Sequence, residues 1–254
     1  MPIVALFTEV PLRDVPGLLR DPTVRQTLAV TARTNAIANV VILTFGTPAA
    51  YFLATRRFRG RALVITIIEL PLVLPPAVAG IGLLAAFGAG GLFGTQLQDA
   101  GIVLPFTQWA VVIAVVFVAS PFYLRQAITA FESVDQTLTD AARTLGASPA
   151  KTFVRVALPL AASGLVAGWV LSFARGVGEF GATIMFAGSV VGETQTLTLT
   201  IYDQLQASFD VALSIGILLV LLSGFVLLSY KLLSWRRSSS TSTIPFGRSS
   251  SAAA

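Results

Sequence analysis

The chain has 254 residues, of which 55% are hydrophobic and only 11% are charged, and its mean hydropathy is +0.81. A soluble domain carries roughly a quarter charged residues, so this composition is typical of a membrane protein. The chain has no cysteine and no histidine, which excludes disulfides, thiolate or imidazole metal sites and nucleophile–histidine catalysis. The net charge of +5 does not imply a nucleic-acid partner, because in a membrane chain the placement of the cations matters more than their sum.

Five stretches have the roughly 20 largely apolar residues that a membrane-spanning helix needs. The predicted spans are residues 33–54, 62–87, 109–130, 156–174 and 211–233. We expect residues 1–26 to form an external or interfacial arm, residues 27–237 a transmembrane domain, and the Ser-rich residues 238–254 a disordered cytoplasmic tail. The apolar stretch 182–191 is too short to span and is predicted to dip into the membrane or lie against the bundle.

The 17 Lys and Arg residues are unevenly divided between the two sides of the predicted spans. Twelve fall on one side: Arg56, Arg57, Arg59, Arg61, Arg125, Arg143, Lys151, Arg155, Lys231, Arg236, Arg237 and Arg248. On the other side only Arg13, Arg20 and Arg25 precede the first span, and the long connections 88–108 and 179–210 contain none. The positive-inside rule therefore places the twelve in the cytoplasm, with the N-terminus outside and the C-terminus inside.

Prolines interrupt the second predicted span. Pro71, Pro75 and Pro76 remove helix hydrogen bonds, and non-helical backbone at membrane depth survives only where it is buried in protein or lines a cavity. We expect a bent helix at Pro75 and Pro76 that lines a pathway; the alternative is a kink that serves packing alone. The neighbouring Glu69 is expected to snorkel toward the arginines of residues 56–61.

Residues 133–146, SVDQTLTDAARTLG, predict a short amphipathic helix on the cytoplasmic side, between the third and fourth spans. Ser133 and Gln136 have the spacing of a capping box, and Gly146 suits the left-handed position that closes a helix. The apolar stripe consists of Val134, Leu138, Ala141, Ala142 and Leu145. A compact knob of this kind, about 13 residues long, suits docking into a groove on another protein.

A second helix is predicted to follow directly and to complete a hairpin over about residues 132–150. Ser148 is a suitable N-cap, and Pro149 suits the first helical turn. This helix should continue into the fourth span, with a kink at Pro159.

The chain has no device of its own for binding ATP. A phosphate-binding loop needs a Gly-Lys pair followed by Ser or Thr, and neither of the two lysines, Lys151 and Lys231, follows a glycine. The Gly-rich residues 88–94 contain no lysine and fall on the predicted external side. Any energy for transport is therefore expected to come from a partner protein.

The hairpin resembles the signature loop of the permease subunits of binding-protein-dependent ABC importers. The matching residues, with intact spacing, are Asp140-Ala141-Ala142, Gly146, Val156 and Leu158-Pro159; Asp replaces the usual Glu, and Val the usual Ile. In that family the loop fits a cleft on a separate ATPase subunit. The resemblance implies an ATPase-coupling role for Asp140, Ala141, Ala142, Arg143, Leu145, Gly146 and Ala147.

A wider resemblance extends from about residue 27 to residue 233. The stretches LPLVLPP (70–76), AARTLGA (141–147), ARGVGEFGATIMFAG (174–188) and GETQTL (192–197) are similar to those of the molybdate and tungstate permeases. The sulfate permeases are also similar, but they are associated more with a Tyr where Phe180 stands. The resemblance implies that the substrate is an oxyanion, molybdate or tungstate, with sulfate or thiosulfate as the alternative.

The stretch around Arg175 and Glu179 is compatible with an oxyanion pathway. The two side chains are four residues apart and can pair on one helix face, and ionisable groups at the end of a span mark either a pathway or a structural clasp. Glycines in this stretch can expose backbone N–H groups that suit anions. The candidate pathway or gate residues are Arg175, Gly178, Glu179, Phe180, Gly181, Thr183, Pro75 and Pro76.

The expected protein is an all-α membrane permease with five spans and a cytoplasmic coupling hairpin, like the type I ABC importer permeases. Its expected partners are a second copy of itself, two cytoplasmic ABC ATPase subunits, an external substrate-binding protein and the lipid bilayer of a prokaryotic plasma membrane. It is not expected to be an enzyme or to hold a cofactor, since ATP and Mg²⁺ would bind the ATPase. The rival from another class is a self-sufficient channel or an ion-coupled carrier, and carriers tend to show inverted repeats that this sequence lacks.

Overall fold

The structure is a computed structural model that describes residues 19–239 together with Phe7 and Gly17. The predictions for most of the N-terminal arm and for residues 240–254 of the tail lie outside the described residues. The helices are α1 (Pro22–Thr55), α2 (Arg61–Val73), α3 (Pro76–Phe87), α4 (Gly94–Asp99), α5 (Gln108–Glu132), α6 (Gln136–Thr144), α7 (Pro149–Val177), α8 (Gly181–Ala187), α9 (Leu197–Ala207) and α10 (Phe209–Ser239). Residues 19–239 contain no strand, which agrees with the predicted all-α fold.

The first spanning helix begins at Pro22 rather than at residue 33, so residues 22–26 belong to this helix and not to the arm. The Asp21 carboxylate caps it by accepting two backbone N–H groups of the first turn, and Pro22 occupies a position that needs no donor. Its buried threonine hydroxyls donate to carbonyls about one turn back: Thr27, Thr31 and Thr34. These groups are satisfied within the helix, so α1 extends beyond the stretch that hydropathy alone predicts.

Helix α5 is the centre of the bundle and packs against α1, α2, α3, α7 and α8. Its Tyr123 hydroxyl lies 2.5 Å from that of Thr47 on α1, and the Phe131 ring lies 5.3 Å from that of Tyr51. Contacts therefore advance in the same direction along α1 and α5, and the two helices run parallel. The chain between two parallel spans must return across the bundle, and α2 and α3 together make that return.

The predicted bent helix of the second span is two separate helices that meet at 115°. Pro71 lies within α2 without ending it, whereas Leu74 is extended, as expected for a residue before a proline. Pro75 is the N-cap of α3, and Pro76 occupies its first position. Among residues 19–239, four helices are each long and apolar enough to span a membrane, and α2 with α3, counted as one broken span, raises the number to the predicted five.

Glycines allow α7 to lie close to α5. A Cβ added at Gly164 would lie 2.5 Å from the Cβ of Ala130, and one at Gly168 would lie 3.0 Å from the Cβ of Gln126. Small residues at a helix crossing let two backbones approach within a membrane, where packing replaces the hydrophobic driving force. These contacts run in opposite directions along the two helices, so α5 and α7 are antiparallel.

Helix α7 contains a π-helical turn, Phe153–Ala157, directly before Leu158 and Pro159. The Leu158 N–H donates to the Phe153 carbonyl, five residues back, instead of the usual four. The wider turn accommodates the proline that would otherwise remove an α-helical hydrogen bond and clash with the preceding turn. The irregularity expected at Pro159 therefore lies one turn earlier, and the helix continues through it to Val177.

Candidate functional site

The hairpin helix α6 ends in a Schellman turn that requires glycine. Gly146 has φ +82°, as predicted, and its N–H donates to the Arg143 carbonyl at 2.9 Å. The Ala147 N–H donates to the Ala142 carbonyl at 3.0 Å, which completes the motif. Ser148 then caps α7 by accepting the Lys151 N–H, as the sequence predicts.

The start of α6 differs from the prediction. Ser133 does not cap this helix, because its hydroxyl donates to the Ala130 carbonyl at the end of α5. Asp135 is the N-cap, and its carboxylate accepts the Thr137 N–H at 2.9 Å. This hydrogen bond holds the pKa of Asp135 below its ordinary value. The helix is therefore nine residues long and not about 13.

Helix α6 buries none of its own residues against the rest of the chain. Leu145 is 88% exposed and Leu138 is 48% exposed, although both belong to the predicted apolar stripe. Asp140 and Arg143 form an exposed ion pair at 3.7 Å. A cavity of about 430 Å³ lies between α6 and the ends of α1 and α5, and one of about 280 Å³ lies between α6 and the end of α1. The hairpin therefore presents an ordered apolar surface that its own chain leaves uncovered.

At the other end of α7, Glu179 joins three elements. Its Oε2 lies 2.6 Å from Arg175 Nη1, and its Oε1 accepts the Ala182 N–H of α8 at 2.7 Å. Its carbonyl accepts the Thr198 hydroxyl of α9 at 2.7 Å. The Glu179 side chain is 1% exposed and that of Arg175 is 26% exposed, although α7 itself ends at Val177. This arrangement is a clasp that holds α8 and α9 on the end of α7.

The structure brings two of the predicted pathway segments together. A Cβ added at Gly181 would lie 2.7 Å from the Cβ of Pro76, and one at Gly80 would lie 2.6 Å from the Ala182 carbonyl oxygen. The glycines therefore permit α3 and α8 to pack closely just beyond the α2–α3 break. This contact explains Gly181 by packing and not by an exposed backbone N–H group.

The remaining predicted pathway residues have different surroundings. Thr183 is fully buried, and its hydroxyl has no hydrogen-bond partner within the described residues. The Phe180 ring lies 5.3 Å from that of Tyr202, which is half exposed. Gly178 is exposed, but its N–H donates a hydrogen bond to the Ala174 carbonyl. The hairpin and the clasp are therefore separate sites, joined by the 29 residues of α7, about 43 Å of helix.

Sequence reasoning missed the partner of Glu69. This carboxylate does not point to the arginines of residues 56–61, because its Oε1 lies 3.7 Å from Nε of Arg125 on α5. Arg61 pairs instead with Glu132, at 2.5 Å. One feature of the sequence could have predicted this pair: Arg125 falls inside a predicted span, where a cation needs a partner or water.

Known proteins resemble this chain over most of its length. The family described as "Binding-protein-dependent transport system inner membrane component" matches residues 46–238. The chain is 41% identical over 228 residues to the molybdenum transport system permease protein ModB of Mycobacterium bovis, which covers 90% of this chain and 86% of that protein. It is 39% identical over 190 residues to ModB of Escherichia coli K12, over 74% of this chain and 82% of that protein.

A solved structure has the same fold at low sequence identity. It is the crystal structure of a bacterial alginate ABC transporter in complex with an alginate pentasaccharide-bound periplasmic protein. The TM-score is 0.70 at 15% identity, over 92% of this chain and 88% of that chain. The all-helical bundle with its broken span is therefore the fold of an ABC importer permease. The chain belongs to the family of inner membrane components of binding-protein-dependent transport systems.

Proposed function

We propose that this chain is the membrane-spanning subunit of an ATP-driven importer for molybdate or tungstate. The substrate assignment rests on the 41% sequence identity between this chain, over 90% of its length, and a protein described as a molybdenum transport permease. Transport in this proposal is by alternating access, and the chain itself performs no chemistry. ATP and Mg²⁺ bind the partner ATPase, and no cofactor resides on this chain.

The exposed hairpin supports the coupling part of the proposal. A nine-residue helix that buries none of its residues, yet is capped at both ends, has the properties of a docking element for another protein. Leu145 and Leu138 provide its apolar contact, and the exposed ion pair of Asp140 and Arg143 provides a polar rim. In the proposed complex two cytoplasmic ATPase subunits bind two such hairpins, and their closure on ATP moves the hairpins together.

The uncovered helix surfaces support a second copy of the chain as partner. Helix α2 buries none of its residues, and its exposed side chains include Leu63 (63%), Ile67 (60%) and Val73 (79%). A broken, pathway-lining span is stable in a membrane only where protein or a water-filled cavity covers the break. In the proposed homodimer the α2–α3 segments of two copies face each other across the route of the oxyanion.

The orientation proposed is an external N-terminus and a cytoplasmic C-terminus, with the hairpin in the cytoplasm. The distribution of Lys and Arg supports this orientation, because twelve of the 17 lie in the connection after α1, around the hairpin or at the C-terminal end of the chain. An external binding protein then delivers the oxyanion on the side of the clasp. The 29-residue helix α7 links hairpin movement to the clasp, and the clasp holds α8 against Pro76.

Competition for uptake tests the substrate. Cells that carry the complete system, and matched cells that lack this chain, are given labelled molybdate with an excess of unlabelled tungstate or sulfate. We expect molybdate uptake to depend on this chain and to be inhibited far more by tungstate than by sulfate. Preferred uptake of sulfate or thiosulfate would assign the chain to that substrate class instead.

A further inference from the structure

Two ion pairs join α2 to α5, about two helical turns apart. Arg61 at the start of α2 pairs with Glu132 at the end of α5. Glu69 lies eight residues further along α2, and its partner Arg125 lies seven residues before Glu132. At 1.5 Å per residue these distances are about 12 and 10 Å, so both members of the second pair lie at a similar depth below the helix ends.

The two pairs differ in how firmly they are held. The first has a 2.5 Å contact, and the Nε of Arg61 also donates to the Leu53 carbonyl of α1 at 2.6 Å. In the second, Nε of Arg125 is 3.7 Å from Glu69, beyond hydrogen-bond distance. Within residues 19–239 the Arg125 guanidinium donates no hydrogen bond, and its side chain is 71% exposed. The first pair is a fixed structural contact, whereas the second leaves the N–H groups of Arg125 available.

At this depth the Arg125 guanidinium needs a partner or water, and Glu69 leaves most of the arginine side chain exposed. A charged side chain exposed to hydrocarbon costs several kcal/mol, so charges within spans face water-filled cavities or partners. Arginine can extend toward the membrane surface, but Nε of Arg125 lies beside Glu69 at the depth of that carboxylate.

We propose that Arg125 is an oxyanion-binding residue in the cytoplasmic half of the transport route, and that Glu69 is its exchangeable partner. This inference rests on the proposed function. A guanidinium offers two parallel N–H groups to a tetrahedral oxyanion, and this geometry favours arginine over lysine. The passing anion displaces Glu69 from Arg125, and Glu69 returns when the anion leaves. Competition from the carboxylate keeps the site weak enough for release into the cytoplasm.

The experiment compares the two halves of one ion pair. The complete transporter is reconstituted in proteoliposomes with Arg125→Gln, Arg125→Lys or Glu69→Gln, and ATP-dependent uptake of molybdate is measured beside complex assembly. Loss of the anion-binding charge should lower uptake by about tenfold or more in Arg125→Gln, with normal assembly. Lys should restore part of that uptake. Glu69→Gln removes the competing carboxylate but keeps the guanidinium, so it should lower uptake less than Arg125→Gln does. Arg61→Gln and Glu132→Gln are the controls for a structural pair. Their effects on uptake should follow their effects on assembly, with the larger loss in Arg61→Gln, which also removes the hydrogen bond to the Leu53 carbonyl.

Equal losses in Arg125→Gln and Glu69→Gln would overturn the proposal, because a purely structural pair is broken equally from either side. If Arg125→Gln does not assemble, Arg125→Lys replaces it in this comparison. Lower uptake in Arg125→Lys than in Glu69→Gln would support the proposal. Unchanged uptake in Arg125→Lys would contradict it. Uptake by the unmodified complex is measured first. Its failure to transport any oxyanion would contradict the proposed function, whereas normal uptake with equal losses contradicts the role of Arg125 alone.

A second measurement uses the absence of cysteine from the chain. Arg125→Cys in the assembled complex is treated with a membrane-impermeant thiol reagent from the cytoplasmic side, beside Phe45→Cys as the control. Phe45 is 72% exposed within α1, so it tests exposure to lipid. We expect labelling at position 125 and none at position 45. Absence of labelling at position 125 would overturn the proposal, because the site would then not be reached by water.

Discussion

Replacing Gly146 by valine tests whether the closed hairpin turn is needed for ATPase binding. Gly146 has φ +82°, and a Cβ added there meets no atom within 4 Å, so the substitution acts through the backbone alone. A left-handed conformation costs an L-residue about 1–2 kcal/mol, which lowers the ratio of closed to open turns roughly 5- to 30-fold. We expect the affinity for the ATPase subunits to fall by up to that factor, with insertion of the spans unchanged.

The assay is co-purification of the ATPase subunits with this chain, together with uptake in cells that carry the complete system. Gly146→Asn should have a smaller effect, because asparagine tolerates the left-handed region better than valine. Gly192→Val is the matched control, since Gly192 has φ +78° and the same open surroundings but lies beyond α8 at the far end of α7. If Gly146→Val keeps full ATPase binding and full uptake, the closed hairpin turn is not needed for coupling to the ATPase.

Three further substitutions test the exposed surface of the hairpin, the clasp and the packing of α8 on α3. Leu145→Asp should weaken ATPase co-purification without lowering the melting temperature, because this side chain is 88% exposed in the chain alone; a lowered melting temperature would argue for an internal contact. Glu179→Ala should lower the stability of the detergent-solubilised chain by about 3–5 kcal/mol, since it leaves Arg175 without its buried partner; a normal melting temperature with reduced uptake would favour a pathway role. Gly181→Val should lower stability because a Cβ would lie 2.7 Å from that of Pro76, and unchanged thermal unfolding would contradict this packing.

Hydropathy located the spans because the membrane imposes the same requirement on each one, whatever its neighbours. Helix α5 begins at Gln108, within one residue of the predicted start. The hairpin's end was equally predictable, since Gly146 and Ser148 determine the local backbone by their own conformational preferences. Short-range rules therefore accounted for the elements that local chemistry determines.

The differences arose where two distant segments meet or where two local rules compete. Asp135 and Ser133 are both good N-cap residues, and the end of α5 uses the Ser133 hydroxyl for its own carbonyl. The 115° turn depends on how α3 packs against α8 through Gly80, which no local pattern encodes. The pairing of Glu69 with a residue of α5 likewise requires knowledge of which helices are neighbours.

Helix α7 connects the hairpin to the clasp. Helix α7 begins in the hairpin at Pro149 and ends at Val177, two residues before Glu179, whose carboxylate accepts the Ala182 N–H in the first turn of α8. In the proposed mechanism, movement of the hairpin would be transmitted along this helix to α8, which packs on Pro76. The π-helical turn Phe153–Ala157 lies close to the hairpin, and such turns are frequent at functional sites.

Reconstitution with and without the partners tests whether this chain transports only when a separate ATPase drives it. Proteoliposomes that contain this chain alone, or this chain with its ATPase subunits and binding protein, are assayed for molybdate entry with ATP and with a non-hydrolysable analogue. We predict that molybdate enters only with ATP and the complete set of partners. Equal entry through the chain alone, or entry that continues with the analogue, would contradict it.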